Sequence, residues 1–211
     1  MKLCVIGGAG ARSAFLTKSL VKSARDIRVD HIVLLDNDQQ KLKIYGEISR
    51  ELARRLDPEL TFEATSDARA ALTGVDYIIT TIRAGGDAGR LFDERTCLAH
   101  GVLGQETTGA GGFAMAIRSV PTLVYYCTLA REVANPGHLI FNFTNPSGII
   151  TQALRSKGFD NVYGICDAPS GFIKQLEEIL DIPYGTLDIE CYGLNHLSWF
   201  RNAKVNGRDV Q

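Results

Sequence analysis

Apolar residues follow two rhythms along this 211-residue chain. Short unbroken runs occur at Lys2–Ile6 (KLCVI), His31–Leu35 (HIVLL), Tyr77–Thr81 (YIITT), Leu139–Phe143 (LIFNF) and Val162–Ile165 (VYGI). Their length and content suit strands buried on both faces, and Thr61–Ala64 reads as a shorter one. The intervening segments carry apolar residues at spacings of three and four. The first predicts a helix with Phe15, Leu16, Leu20 and Val21 on one face. Asp38 caps the next, whose stripe is Leu42, Tyr45, Ile48, Leu52 and Leu56 until Pro58 stops it. Asp67 opens a small helix through Leu72, and others are expected around 91–99, 113–134, 148–157 and 171–180. Strands and helices in alternation predict an α/β fold, a doubly wound parallel sheet with helices on both faces.

The texture changes after about residue 185. Leu187–Leu194 and Ser198–Val205 look like strands, and Asn206-Gly207 is a hairpin-turn dipeptide. The expected organisation is therefore a first domain over 1–185 and the start of a second, α+β domain over 186–211. Because an unpaired hairpin arm leaves ladder bonds open, the second domain is expected to lack most of its length.

Composition narrows the partners. Lys and Arg number 23 against 24 Asp and Glu, so neither nucleic acid nor an anionic membrane surface is expected. The N-terminal MKLCVIGGAGARSAF has too short an apolar run for a signal peptide, and no run approaches the ~18–20 apolar residues of a membrane span. Five cysteines, odd in number and without short spacings, argue against a disulfide framework or zinc ribbon and for a reducing, cytoplasmic setting. Glycine is the outlier. The 21 glycines are about a tenth of the chain against an average near ~7%, and they cluster.

The first cluster, Gly7-Gly8-Ala9-Gly10, falls between the first strand and the first helix. Glycine there allows a tight turn and a close approach of backbone N–H groups to a pyrophosphate. Ser13 stands where a dinucleotide fingerprint starting at Gly8 has its third glycine. Asp36, ending the second strand, suits an adenosine ribose and repels a 2′-phosphate, which favours NAD over NADP and a Rossmann-like sheet. The second cluster runs from Arg83-Ala-Gly-Gly86 through Arg90 and then over 101–112, including Glu106. Asn142-Phe-Thr-Asn145-Pro146-Ser-Gly148 and Cys166-Asp167-Ala-Pro169 likewise follow strands, and Gly193-Leu-Asn-His196 ends another. Pro146 holds Asn145 extended. Cys166 and His196 by themselves fit a buried thiol and a satisfied histidine better than a metal site. Two protein ligands do not close a tetrahedral cage, so a metal here is completed by substrate and water.

The motifs GQETTGAGG (104–112), NFTNPSG (142–148), CDAP (166–169) and GLNH (193–196), on a Gly-rich turn, resemble glycoside hydrolase family 4 over essentially the whole chain. That family comprises NAD- and divalent-metal-dependent 6-phospho-glycosidases and related enzymes. The resemblance implies that Gly7, Gly8, Ala9, Gly10 and Asp36 bind NAD, and that Cys166 and His196 ligate Mn²⁺ or another divalent ion. It implies that Arg90 and Asn145 contact the sugar, that Glu106 tunes the basicity of a tyrosine base, and that Asp167 is the general acid. The implied reaction is hydrolysis of a 6-phospho-glucoside by oxidation at C3, metal-assisted C2 deprotonation and elimination, followed by return of the hydride. A cytoplasmic homo-oligomer, dimer or tetramer, is the implied state.

Three departures qualify it. Ala9 stands where the family has glycine in its Gly-Gly-Gly-Ser turn. Asp167 accompanies α-acting members, whereas GQETTGAGG and NFTNPSG lean towards the 6-phospho-β-glucosidases. The family's tyrosine lies beyond the metal histidine, past Gln211, so this chain alone is expected to bind NAD without hydrolysing glycosides. Two other readings stand beside it. One is an NAD-dependent 2-hydroxyacid dehydrogenase of the lactate or malate type, with His196 as acid. The other is a non-catalytic dinucleotide-binding module.

Overall fold

The structure, a computed structural model, describes residues 1–194 and 196–210. The chain divides into two compact units, Met1–Gly164 and Ile165–Gln211. In the first, six strands are joined through helices: β1 (Lys2–Ile6), β2 (His31–Leu35), β3 (Thr61–Thr65), β4 (Tyr77–Thr80), β5 (Leu139–Asn142) and β6 (Val162–Gly164). All their pairings are parallel and the order is β3-β2-β1-β4-β5-β6, the doubly wound arrangement expected from the alternation.

The helices of this unit are α1 (Ser13–Ser23), α2 (Gln39–Lys41), α3 (Glu47–Leu56), α4 (Ala68–Leu72), α5 (Gly86–Ala99), α6 (Gly109–Val133) and α7 (Ser147–Ser156). Strand alternation splits the core in two. Cys4 and Ile6 of β1 join Val33, Ile78 and Ile140 in a cluster with Leu123, Cys127, Ile150 and Leu154 of α6 and α7. Leu3 and Val5 point the other way, with Ile32 and Leu34, against Val21 of α1 and Ala53 of α3. By length and composition α6 could cross a membrane. Its Leu123, Cys127 and Ala130 are instead core residues of this unit.

The side chains expected on two helix faces are corrected. Helix α1 buries Ser13, Thr17 and Val21, while Phe15 is 75% exposed. The second expected helix is interrupted by a π turn, Leu42–Gly46, between α2 and α3. The wider turn shifts the facing positions, so Leu42, Gly46, Ser49 and Ala53 are buried while Ile48 and Leu56 are exposed. Small residues win because the backbones lie close: a Cβ on Gly46 would stand 2.9 Å from the Ala64 Cβ. The caps are as expected, with Asp38 Oδ1 accepting from Lys41 N–H and Asp67 Oδ1 from Ala70 N–H, each at 3.0 Å.

The second unit pairs α8 (Ala168–Ile179) with an antiparallel sheet in the order β7 (Leu187–Leu194), β8 (Leu197–Val205), β9 (Arg208–Asp209). The division at Gly164/Ile165 falls ahead of the boundary expected at 185/186, because α8 is tied to the sheet. Glu177 is 1% exposed, and its Oε1 accepts the N–H groups of Thr186 and Leu187, each at 3.0 Å. Phe172 of α8 lies 6.1 Å, ring to ring, from Phe200 of β8.

Candidate functional site

In the first unit the Gly-rich turn leaves β1 as its short fingerprint requires. Gly7 has φ +87, and a Cβ there would lie 2.9 Å from Ile82 N. A Cβ on Gly8 would stand 2.7 Å from Leu34 Cβ. The N–H groups of Gly7 and Gly8 donate to Leu35 O, and that of Ala9 donates to Asp36 Oδ2 at 3.0 Å. Asp36 Oδ1 accepts Asp38 N–H at 3.0 Å. The turn and the acidic strand end are thus one hydrogen-bonded piece, and Ala9, fully buried, takes the third glycine's place without strain. Gly10, Ala11 and Arg12 are the exposed residues leading into α1, whose start carries no side-chain cap. An uncapped helix start beside a preset carboxylate fits a dinucleotide: N–H dipoles for the pyrophosphate, acceptor oxygens for a ribose.

Next along the same sheet edge, beyond β4, comes a chain of alternating charge. Arg83 pairs with Asp87, and its second guanidinium nitrogen stands 3.3 Å from Glu106 Oε2. Arg90 donates to Glu94 Oε1 at 2.8 Å and approaches Glu106 Oε1 at 3.7 Å. The Glu94 hydrogen bond first, then the Glu106 charge, hold the Arg90 guanidinium above its ordinary range. So the structure brings Arg90 and Glu106, two candidate site residues from the sequence, together directly, and sets Arg83, which was not a candidate, against the other oxygen of Glu106.

This loop region is held by residues that sequence reasoning missed. Arg118 of α6 grips the nearly buried Asp93 of α5 through both nitrogens, one at 2.9 Å, and donates to Ala84 O at 3.3 Å. The same guanidinium covers Gly85 and Gly89, where a Cβ would lie 3.0 and 3.4 Å from its Nε. Gln105 Oε1 accepts the N–H groups of Thr107 and Thr108, each at 2.6 Å, just before α6 begins. A Cβ on Gly104 would meet Glu94 O, one on Gly111 Gln105 O, and one on Gly112 the Thr107 carbonyl. Glycine is needed there because the 104–107 loop lies directly on the backbones of α5 and α6.

After β5, the fully buried Asn142 is a hub. Its Oδ1 accepts Thr80 Oγ1–H at 2.9 Å and Thr144 N–H at 3.3 Å. Its Nδ2 reaches Thr144 O, Ser147 O and Thr151 Oγ1. The hub fixes the turn carrying Asn145, which is half-buried and joined to Pro146 by a cis peptide bond. A polar residue ending an apolar strand was the only sequence signal for it.

In the second unit, Cys166 Sγ stands 3.6 Å from His196 Nε2 and accepts Ala168 N–H at 3.5 Å. Asp167, next to it, is exposed. His196 lies where the chain reverses between the paired Leu194 and Leu197, with φ +60. Gly193 has φ +120, and a Cβ there would stand 2.5 Å from Leu197 O. The donor set fits a divalent metal. Bonds of ~2.3 Å to sulfur and ~2.0–2.1 Å to nitrogen, leaving one ion at roughly 110°, span about this sulfur–nitrogen distance. Among the described residues no third His, Cys, Asp or Glu joins this pair in one cluster.

The strand order, the glycine turn and the acidic end of β2 place the first unit among the Rossmann-like α/β proteins, whose ligands sit at the carboxyl ends of the strands. The chain belongs to family 4 of the glycosyl hydrolases, whose model (Family 4 glycosyl hydrolase) matches residues 2–182. It is 36% identical over 214 residues to the 6-phospho-beta-glucosidase BglT of Thermotoga maritima, covering 100% of this chain and 50% of that protein. The structure of the Thermotoga maritima 6-phospho-beta glucosidase with manganese, NAD+ and glucose-6-phosphate superposes with a TM-score of 0.91 at 34% identity, over 100% of this chain and 51% of that one. A 6-phospho-alpha-glucosidase from gut microorganisms, in complex with NAD and Mn2+, gives a TM-score of 0.92 at 32% identity, over 99% of this chain and 48% of that one. The chain spans about half the length of these relatives.

Proposed function

We propose that this chain is the NAD-binding and metal-binding part of an enzyme that hydrolyses 6-phospho-glucosides, β-linked by preference, through NAD-dependent oxidation and elimination. The observation that supports this most is the Cys166–His196 pair, 3.6 Å apart, in a chain that also carries the Asp36-braced glycine turn. Asp36 accepts the ribose hydroxyls and repels a 2′-phosphate, and Gly10 and the start of α1 face the pyrophosphate. Arg90 and Asn145 hold sugar hydroxyls. Glu106 strengthens a tyrosine base by its charge, and Asp167 protonates the leaving oxygen. Bound at Cys166 and His196, a divalent ion supplies Lewis acidity at the sugar oxygens, while NAD supplies a reversible hydride acceptor.

We assign NAD binding to the first unit, Met1–Gly164, and read the second, Ile165–Gln211, as belonging to the substrate domain. All five cysteines are free, which suits a reducing cytoplasm. The β preference rests on GQETTGAGG and NFTNPSG and on the similarity to BglT.

The test uses the complete gene product with chromogenic 6-phospho-α- and 6-phospho-β-glucosides. Turnover requires NAD, a divalent ion and reductant, and the β-glucoside is preferred. Cys166→Ser lowers metal affinity and turnover together. Turnover unaffected by removing NAD overturns the proposal.

A further inference from the structure

Glu106 is the innermost member of the charge chain Asp87–Arg83–Glu106–Arg90–Glu94. Its side chain is 18% exposed, against 89% for Asp87 at one end and 24% for Glu94 at the other. Each of its oxygens faces a different guanidinium: Oε2 faces Arg83 at 3.3 Å and Oε1 faces Arg90 at 3.7 Å. Arg90 has a closer partner in Glu94, at 2.8 Å, and is the residue proposed to turn to the sugar. A half-buried carboxylate that Arg90 leaves is held in place only by its other cation, Arg83.

We propose that Arg83 is the positioning residue that holds Glu106 while Arg90 engages the sugar. The proposal rests on the functional reading above. Arg83 touches neither sugar nor cofactor in this role; it acts through Glu106. Its backbone is set by the loop that Arg118 clamps at Ala84, so the hold is built into the α5–α6 packing and not left to a free side chain. The separation of tasks follows from the geometry: Arg90 determines how tightly the sugar binds, and Arg83 determines how well the bound sugar reacts.

Two measurements decide it. In this 211-residue chain, arginine side-chain nitrogen spectra show the Arg83 guanidinium with slowed rotation. That signature is lost in Glu106→Gln and kept in Asp87→Asn. Loss in Asp87→Asn with retention in Glu106→Gln overturns the proposal. In the complete gene product, Arg83→Gln lowers kcat about tenfold or more with KM for the phospho-glucoside little changed, the loss of the ion-pair contact with Glu106. Arg83→Lys recovers most of it, and adding Arg83→Gln to Glu106→Gln costs nothing further. A raised KM at unchanged kcat, or effects of the two substitutions that multiply, overturns it. Absence of phospho-glucoside turnover in the unsubstituted enzyme defeats the functional reading instead, and the spectra still decide whether Arg83 holds Glu106.

Discussion

At the end of β2 the Asp36 carboxylate accepts one backbone N–H on each oxygen, from Ala9 and from Asp38. Replacing it with Ala removes the brace on the glycine turn and, on the proposed function, the ribose acceptor. NAD affinity, measured by calorimetry, is expected to fall about tenfold, a loss of roughly 1.4 kcal/mol, with discrimination against NADP reduced more. Unchanged NAD binding would remove Asp36 from the cofactor site. Glu177 poses the corresponding question in the second unit. Glu177→Ala leaves the N–H groups of Thr186 and Leu187 without their acceptor, at a cost of about 1–3 kcal/mol. Hydrogen exchange checks this, since both amides should lose protection before the strands of the first unit do.

Among the elements, glycine has opposite meanings in two helices. Gly111 lies in the first turn of α6, where a Cβ would meet Gln105 O, whereas Gly171 of α8 has nothing within 4 Å. Helix propensity alone gives Ala an advantage of about 1 kcal/mol at either position. Gly171→Ala should therefore stabilise the chain by about 0.5–1 kcal/mol. Gly111→Ala should destabilise it, because the contact is with backbone that cannot rotate away. Urea unfolding of the two variants gives shifts of opposite sign, and shifts of the same sign would contradict the close contact. The helix faces teach a related lesson. The apolar stripe read through Ile48 and Leu56 is exposed, because a π turn and the close approach of neighbouring backbone turn Gly46, Ser49 and Ala53 inward.

Across the whole molecule the cysteines separate by burial. Cys4 and Cys127 are pushed up to about 12 by burial, with Lys2 and Arg131 opposing weakly, while Cys191 is exposed. Both buried thiols bind their protons more tightly folded than unfolded, where the ordinary value is 9.0. Their contribution is therefore complete below about pH 9 and is lost as pH rises from about 9 towards 12. Stability measured by urea unfolding should fall between pH 8.5 and 10.5 at up to about 1.4 kcal/mol per pH unit per thiol. The fall should be shallower in a Cys4→Ala, Cys127→Ala double variant. A slope unchanged by that replacement would assign the alkaline loss to other groups. Thiol labelling of the folded chain should reach Cys191 well before either of them.

What the sequence by itself determined is local and periodic. Short apolar runs mark most of the six parallel strands, Asp38 and Asp67 cap two helices, and Gly7 and Gly8 set the turn out of β1, because each follows from backbone sterics or a hydrogen bond a few residues away. Four motifs in order were enough for the family, since their residue types are chemically particular. Only the tertiary structure decided the rest. Arg83 and Glu106 are 23 positions apart, Cys166 and His196 30, and Arg118 and Asp93 25; nothing in a linear pattern measures such separations in space. Likewise the excess of glycine has its reason in three dimensions. At 104, 111 and 112 the chain folds onto its own backbone, and the absence of a side chain there is what lets α5, α6 and their loop close around Glu106.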